Sequence, residues 1–203
     1  MKIICIGRNY VDHAKELNNA IPDEPVVFMK PDSAILQSTK PFFIPSFSQD
    51  VHHELEVVVK IKKVGKHIQK KFARKYYDSF TVGIDFTARD LQSQLKSKGL
   101  PWEKAKAFDG SAPVGKFIKL KESENLDNVS FSLTNNGEVV QSGNTKDMLF
   151  SVDTIIEHVS KYYTLKIGDL IFTGTPAGVS KVAIGDVLEA KVGSQSLLTI
   201  PVK

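Results

Sequence analysis

The run His52-His53-Glu54-Leu55-Glu56-Val57-Val58-Val59 sets two carboxylates two residues apart in an apolar stretch. In an extended strand, side chains at i and i+2 share a face, so His52, Glu54 and Glu56 point one way and His53, Leu55, Val57 and Val59 the other. Taken alone, this is a half-buried strand with its carboxylates in water. Yet the opposite face is too apolar for an idle edge, and adjacent like charges repel unless a cation lies between them. A third carboxylate, Asp85, ends the apolar run Thr81-Val82-Gly83-Ile84, where an unpaired charge is costly. It reads either as a turn or capping residue or as a further ligand. Glu54, Glu56 and Asp85 together supply an all-oxygen site, which suits Mg²⁺ or Mn²⁺ with positions left for water or substrate, and not Zn²⁺.

Two more groupings carry chemistry. Thr87, with Asp90 three residues on, has the form of a helix N-cap, and Arg89 and Gln92 then share a face near the start of that helix. In Gly7-Arg8-Asn9-Tyr10-Val11-Asp12-His13-Ala14-Lys15-Glu16-Leu17, a short helix places His13 and Glu16 at i and i+3. The carboxylate then orients the imidazole and raises its basicity, although such a pair on a surface helix is usually just polar surface.

The elements that must hold these groups are mostly strands. Short β-branched or aromatic runs occur at Ile3–Ile6, Val26–Lys30, Glu54–Ile61, Phe80–Phe86, Phe131–Thr134, Asp169–Thr173, Val187–Val192 and Leu197–Val202. Asn135-Asn136-Gly137 is a hairpin signal with a primed turn. Helices are expected at Tyr10–Leu17, Lys70–Asp78, Ala88–Lys98 and Ser151–Ser160. The expected architecture is α+β, mainly β, rolled into one domain over residues 1–203.

Composition limits the function classes. At 41% hydrophobic and 25% charged residues, the chain is an ordinary globular sequence, which excludes disorder and coiled coil. It contains no apolar run long enough for a membrane span. A single cysteine, Cys5, rules out internal disulfides and thiolate metal clusters, and fits a cytoplasmic setting. The net charge of +4 is local: Lys60–Lys75 holds eight Lys or Arg and no acid, and the rest of the chain is net negative. With Phe72 and Tyr76 nearby, this segment invites a nucleic-acid reading, but no recognition motif accompanies it. The preferred reading is a solvated hairpin tip running into an exposed helix.

Six motifs in order then carry a resemblance. Gly7-Arg8-Asn9-Tyr10 with His13 and Glu16, Phe28-Met29-Lys30-Pro31, His53-Glu54-Leu55-Glu56, Gly83 through Asp90, Gly99-Leu100-Pro101-Trp102 through Lys106, and Thr173-Gly174-Thr175-Pro176 resemble the fumarylacetoacetate hydrolase family over nearly the whole chain. The similarity is greatest to its small acylpyruvase and oxaloacetate decarboxylase branch. The resemblance implies a mixed β-roll, Mg²⁺ with Mn²⁺ as the alternative, and a homodimer. It implies Glu54, Glu56 and Asp85 as metal ligands and His13 and Glu16 as a water-activating dyad on a lid. It further implies Lys106 as the active-site lysine and Arg89, Gln92 and Thr175 as substrate contacts. The larger hydrolases carry an extra acid ahead of the dyad; Cys5-Ile6-Gly7 offers none here. The implied reaction is cleavage of a small 2-oxo acid through a pyruvate enolate, by acylpyruvate hydrolysis or oxaloacetate decarboxylation. The family alternative is isomerisation or hydrolysis of unsaturated 2-oxo dicarboxylates.

Overall fold

The computed structural model describes residues 1–16, 20–36 and 40–203. Among them the largest sheet has six strands, in the order Val26–Pro31, Lys2–Gly7, Leu170–Phe172, Leu55–Ile61, Tyr77–Ile84 and Ile118–Lys119. Lys2–Gly7 runs parallel to Leu170–Phe172; the other neighbouring pairs are antiparallel. A second sheet of four antiparallel strands runs Glu138–Asn144, Ser130–Asn135, Val187–Val192, Gln195–Pro201. Val57, Val82 and Ile84 from the first sheet and Leu133, Leu188 and Leu198 from the second join one buried apolar cluster. The class is α+β and mainly strands, as the sequence predicts.

The valine run is buried on both faces. Val57 and Val59 enter the large cluster while Val58 packs with Ile3, Cys5 and Phe172 on the other side. This central position explains why the segment reads as a continuous apolar run. The half-buried strand with solvated carboxylates is therefore corrected: Glu54 and Glu56 are buried as well. The ladder also breaks at Glu54, since Val51–His53 belongs to a separate small sheet with Ser180–Lys181 and Thr87–Ala88.

Local signals translate well at the turns. Asn136 and Gly137 have φ of 52° and 88°, and Asn135 pairs with Glu138, which is the primed hairpin the dipeptide predicts. The helix Val152–Tyr162 starts at Ser151, whose side chain accepts from Thr154 N, and buries Val152, Ile155, Ile156 and Val159 at helical spacing.

Two local expectations fail for tertiary reasons. Lys70–Tyr76 is a 3₁₀ helix, and Tyr77 already belongs to a strand. Because Ile61 pairs with Tyr77, the connection must return to its starting point, and Arg74 is drawn onto the carbonyls of Tyr77, Lys121 and Glu124 at 2.7 Å each. Thr87 is not a helix cap; it pairs in a short strand, and the helix Arg89–Ser97 begins without a side-chain cap. Asp90 instead accepts from Ser48 Oγ at 2.7 Å and Gln49 N at 2.9 Å. The first helix spans Val11–Glu16; residues 17–19 lie outside the described residues.

Candidate active site

The antiparallel register of Leu55–Ile61 with Tyr77–Ile84 sets Glu56 opposite Gly83 and Leu55 opposite Ile84. Asp85 N then donates to Glu54 O at 2.8 Å, which carries Asp85 alongside the two glutamates. A Cβ on Gly83 would lie 2.9 Å from Phe172, Val58 and the Pro113 carbonyl, so only glycine lets the strands close this tightly. One oxygen from each of Glu54, Glu56 and Asp85 lies within 4.8 Å of the others, and all three residues are buried.

Charge compensation among the three is uneven. Glu54 pairs with Lys106 at 2.8 Å and with Arg89 at 2.5 Å, while Asp85 pairs with Lys30 at 2.7 Å and Lys106 at 2.8 Å. Burial disfavours ionised Glu54, but Lys106 and Arg89 outweigh it and hold its pKa well below the usual carboxylate range. The ammonium of Lys106 is likewise penalised by burial and restored by Asp85 and Glu54, which leaves its pKa raised. Glu56 forms no ion pair among the described residues; its Oε2 accepts from Gly174 N at 2.6 Å. Burial, then the charge of Asp85, pushes its pKa well up. Three hard oxygen donors in one buried cluster, one of them without a cationic partner among the described residues, fit a divalent cation.

The carboxylates open into a cavity of about 130 Å³. His13, Arg89, Gln92, Lys106 and Thr175 line it beside the carboxylates, so eight of the nine predicted site residues meet in one place. The ninth, Glu16, stands behind His13, with Oε2 at 3.2 Å from His13 Nδ1 and Oε1 accepting from Gly178 N at 3.0 Å. Arg89 is held in line by Gln92 Oε1 at 2.6 Å. Lys106 Nζ also donates to Thr87 Oγ1 at 2.6 Å, which explains why this threonine does not cap the helix. Lys104, two residues away, is exposed.

Some contributors escape sequence reasoning. Lys30 is fully buried, pairs with Asp85, and donates to the Lys106 carbonyl and to Ser111 Oγ. The one signal was a lysine inside an apolar strand. Arg8, Phe28, Lys96 and Trp102 also line the cavity. Arg8 has φ of 60°, a left-handed conformation that turns the chain at the end of the first strand.

The basic segment lies apart from this cavity. Lys71 and Lys75 sit 5.0 and 5.2 Å from the Phe72 ring centre, and Lys63 sits 5.3 Å from that of Tyr76. Its rings are thus approached by its own lysines, while Phe72 stays exposed. No helix among the described residues is long and apolar enough to cross a membrane.

Over residues 2–203 the chain matches the family described as fumarylacetoacetate (FAA) hydrolase C-terminal. It is 44% identical over 192 residues to a mitochondrial oxaloacetate decarboxylase of Dictyostelium discoideum, covering 94% of this chain and 88% of that protein. It is 42% identical over 199 residues to an oxaloacetate tautomerase of Escherichia coli, covering 98% and 91%. The crystal structure of fumarylpyruvate hydrolase from Pseudomonas aeruginosa, in complex with Mn²⁺ and pyruvate, matches with a TM-score of 0.93 at 33% identity, covering 100% of this chain and 89% of that one. With a family match over residues 2–203 and relatives above 40% identity along nearly the whole length, this chain belongs to the fumarylacetoacetate hydrolase family.

Proposed function

We propose that this protein is a divalent-metal-dependent enzyme that acts on small 2-oxo acids through an enolate, with oxaloacetate as the leading substrate. The observation that carries this reading is the cluster of Glu54, Glu56 and Asp85 at the base of a cavity walled by Arg89, Lys106 and Thr175. Held by the three carboxylates, Mg²⁺, or Mn²⁺ as the alternative, supplies Lewis-acid polarisation of the 2-oxo carbonyl. Lys106 and Arg89 bind the substrate carboxylate and offset the charge that develops on the enolate. The Nδ1 of His13 faces Glu16, which leaves Nε2 as the nitrogen that takes or returns a proton.

These roles serve related outcomes. Proton removal from C3 and its return at oxygen tautomerises oxaloacetate; loss of CO₂ from the same acid decarboxylates it. Hydrolysis of an acylpyruvate additionally needs a water, and the His13–Glu16 pair supplies a base for it. The relatives named for tautomerase, decarboxylase and hydrolase activity support this set. A homodimer in the cytoplasm completes the proposal.

The test is a panel of oxaloacetate and acylpyruvates, followed by enol absorbance, CO₂ release and pyruvate formation, in chelator and with Mg²⁺ or Mn²⁺ restored. Activity confined to metal-loaded protein, lost in Lys106→Met and kept in Lys104→Met, is the expected pattern. Full activity in chelator would exclude the metal mechanism, and a loss confined to Lys104→Met would mean that the wrong lysine is assigned.

A further inference from the structure

Gln141 lies on the strand Glu138–Asn144, in the sheet opposite the carboxylates, and is 1% exposed. The orientation of its amide is set by partners that have no choice of role. Its Oε1 accepts from Leu55 N at 2.9 Å, and a backbone N–H can only donate. Its Nε2 donates to the Pro176 carbonyl at 3.0 Å, which can only accept. The oxygen and nitrogen ends are therefore assigned by the network itself.

That assignment propagates in both directions. His53 is fully buried, and its Nδ1 lies 2.9 Å from Gln141 Oε1, so Nδ1 carries the proton. On the other side, Gln141 Nε2 donates to Thr175 Oγ1 at 2.9 Å. The threonine oxygen is an acceptor in this bond, so its own proton must point elsewhere. Among the described residues its remaining acceptor is the Pro176 carbonyl, at a long 3.4 Å and shared with Gln141 Nε2. Thr175 lines the cavity.

We propose that Gln141 is a positioning residue that sets the Thr175 hydroxyl as a hydrogen-bond donor toward the carboxylate of the bound 2-oxo acid. Without the amide, the hydroxyl is free to turn its lone pairs toward the cavity, where they meet an anionic oxygen. This inference rests on the proposed function, which places an anion in that cavity.

A double-mutant cycle tests it, with calorimetric binding of oxalate in the presence of Mg²⁺ and steady-state turnover of oxaloacetate as readouts. Gln141→Met and Thr175→Val should each weaken oxalate binding and raise KM by about tenfold, the scale of one hydrogen bond to a charged group, with a smaller change in kcat. The double variant should be no worse than Thr175→Val. Independent losses that multiply to about a hundredfold in the double variant would overturn the proposal. Should Gln141→Met fail to fold, the Gln141 side-chain amide protons can be followed by NMR in wild-type protein. They should shift when oxalate and Mg²⁺ are added, and not in Thr175→Val; no shift in wild type, or the same shift in both, would overturn the assignment. Wild-type protein that neither binds oxalate nor turns over oxaloacetate would refute the proposed function, and this inference with it.

Discussion

Lys30 and Asp85 form an ion pair in which neither side chain has any exposed surface, with Nζ 2.7 Å from Oδ1. The pair fastens the strand Val26–Pro31 to the end of the strand Tyr77–Ile84, and Lys30 also donates to the Lys106 carbonyl, which steadies the lysine proposed to bind substrate. Lys30→Met removes one charge and leaves the other buried. Chelator-treated variant protein should lose about 3–5 kcal/mol of stability in urea unfolding. A loss within 0.5 kcal/mol, the usual range for a surface substitution, would show that Lys106 alone compensates Asp85.

Glu56→Gln should separate metal binding from stability. The amide keeps an oxygen for the Gly174 N–H but removes a charge that burial and Asp85 both disfavour. In chelator the variant should melt at the same temperature as wild type or higher, while its affinity for Mn²⁺, followed by calorimetry, falls by at least tenfold. Unchanged Mn²⁺ affinity would remove Glu56 from the ligand set.

His13 and Glu16 distinguish the chemistries. General bases contribute on the order of 10² to 10⁴ in rate, so His13→Ala and Glu16→Gln should reduce acylpyruvate hydrolysis by about that factor. Decarboxylation needs no attacking water and should fall less. Oxalate binding with Mg²⁺ serves as the folding control, since the three carboxylates are untouched. Equal, small losses in both reactions would make the pair polar surface.

His52 and His53 should weaken folding from pH 6.5 downward. His53 and His52 both have pKa values lowered from 6.5, in each case first by burial. The unfolded chain takes up these protons below that value while the folded chain resists them, so stability present above pH 6.5 is lost as pH falls toward the folded pKa values. Urea midpoints measured between pH 7.5 and 5 should fall more steeply, or rise less, in wild type than in His53→Gln, since the raised pKa of Glu56 acts in the opposite direction in both proteins alike. Identical slopes for the two proteins would show that His53 is not held neutral.

Local patterns alone determined part of this molecule. The valine run at 57–59, the Asn-Gly hairpin, the helix expected from Ser151 and the spacing of Glu54 and Glu56 depend on neighbours a few residues apart, and these features hold in the structure. Lys106 and Thr175 enter only through the ordered motifs of a family, because nothing in their immediate surroundings marks them, whereas Arg89 and Gln92 are also set on one helix face by their spacing.

Tertiary structure decided the rest. The Lys106–Glu54 contact spans 52 residues and the Gly174–Glu56 contact 118, distances over which sequence periodicity carries no information. Thr87 has the sequence of a cap, yet Lys106 claims its hydroxyl and the small sheet claims its backbone. Gln141 looks unremarkable in its strand, and Lys30 stands out only as a lysine in an apolar run. Their functions exist only because the fold buries them, and a buried polar group must find its partner wherever the chain brings one.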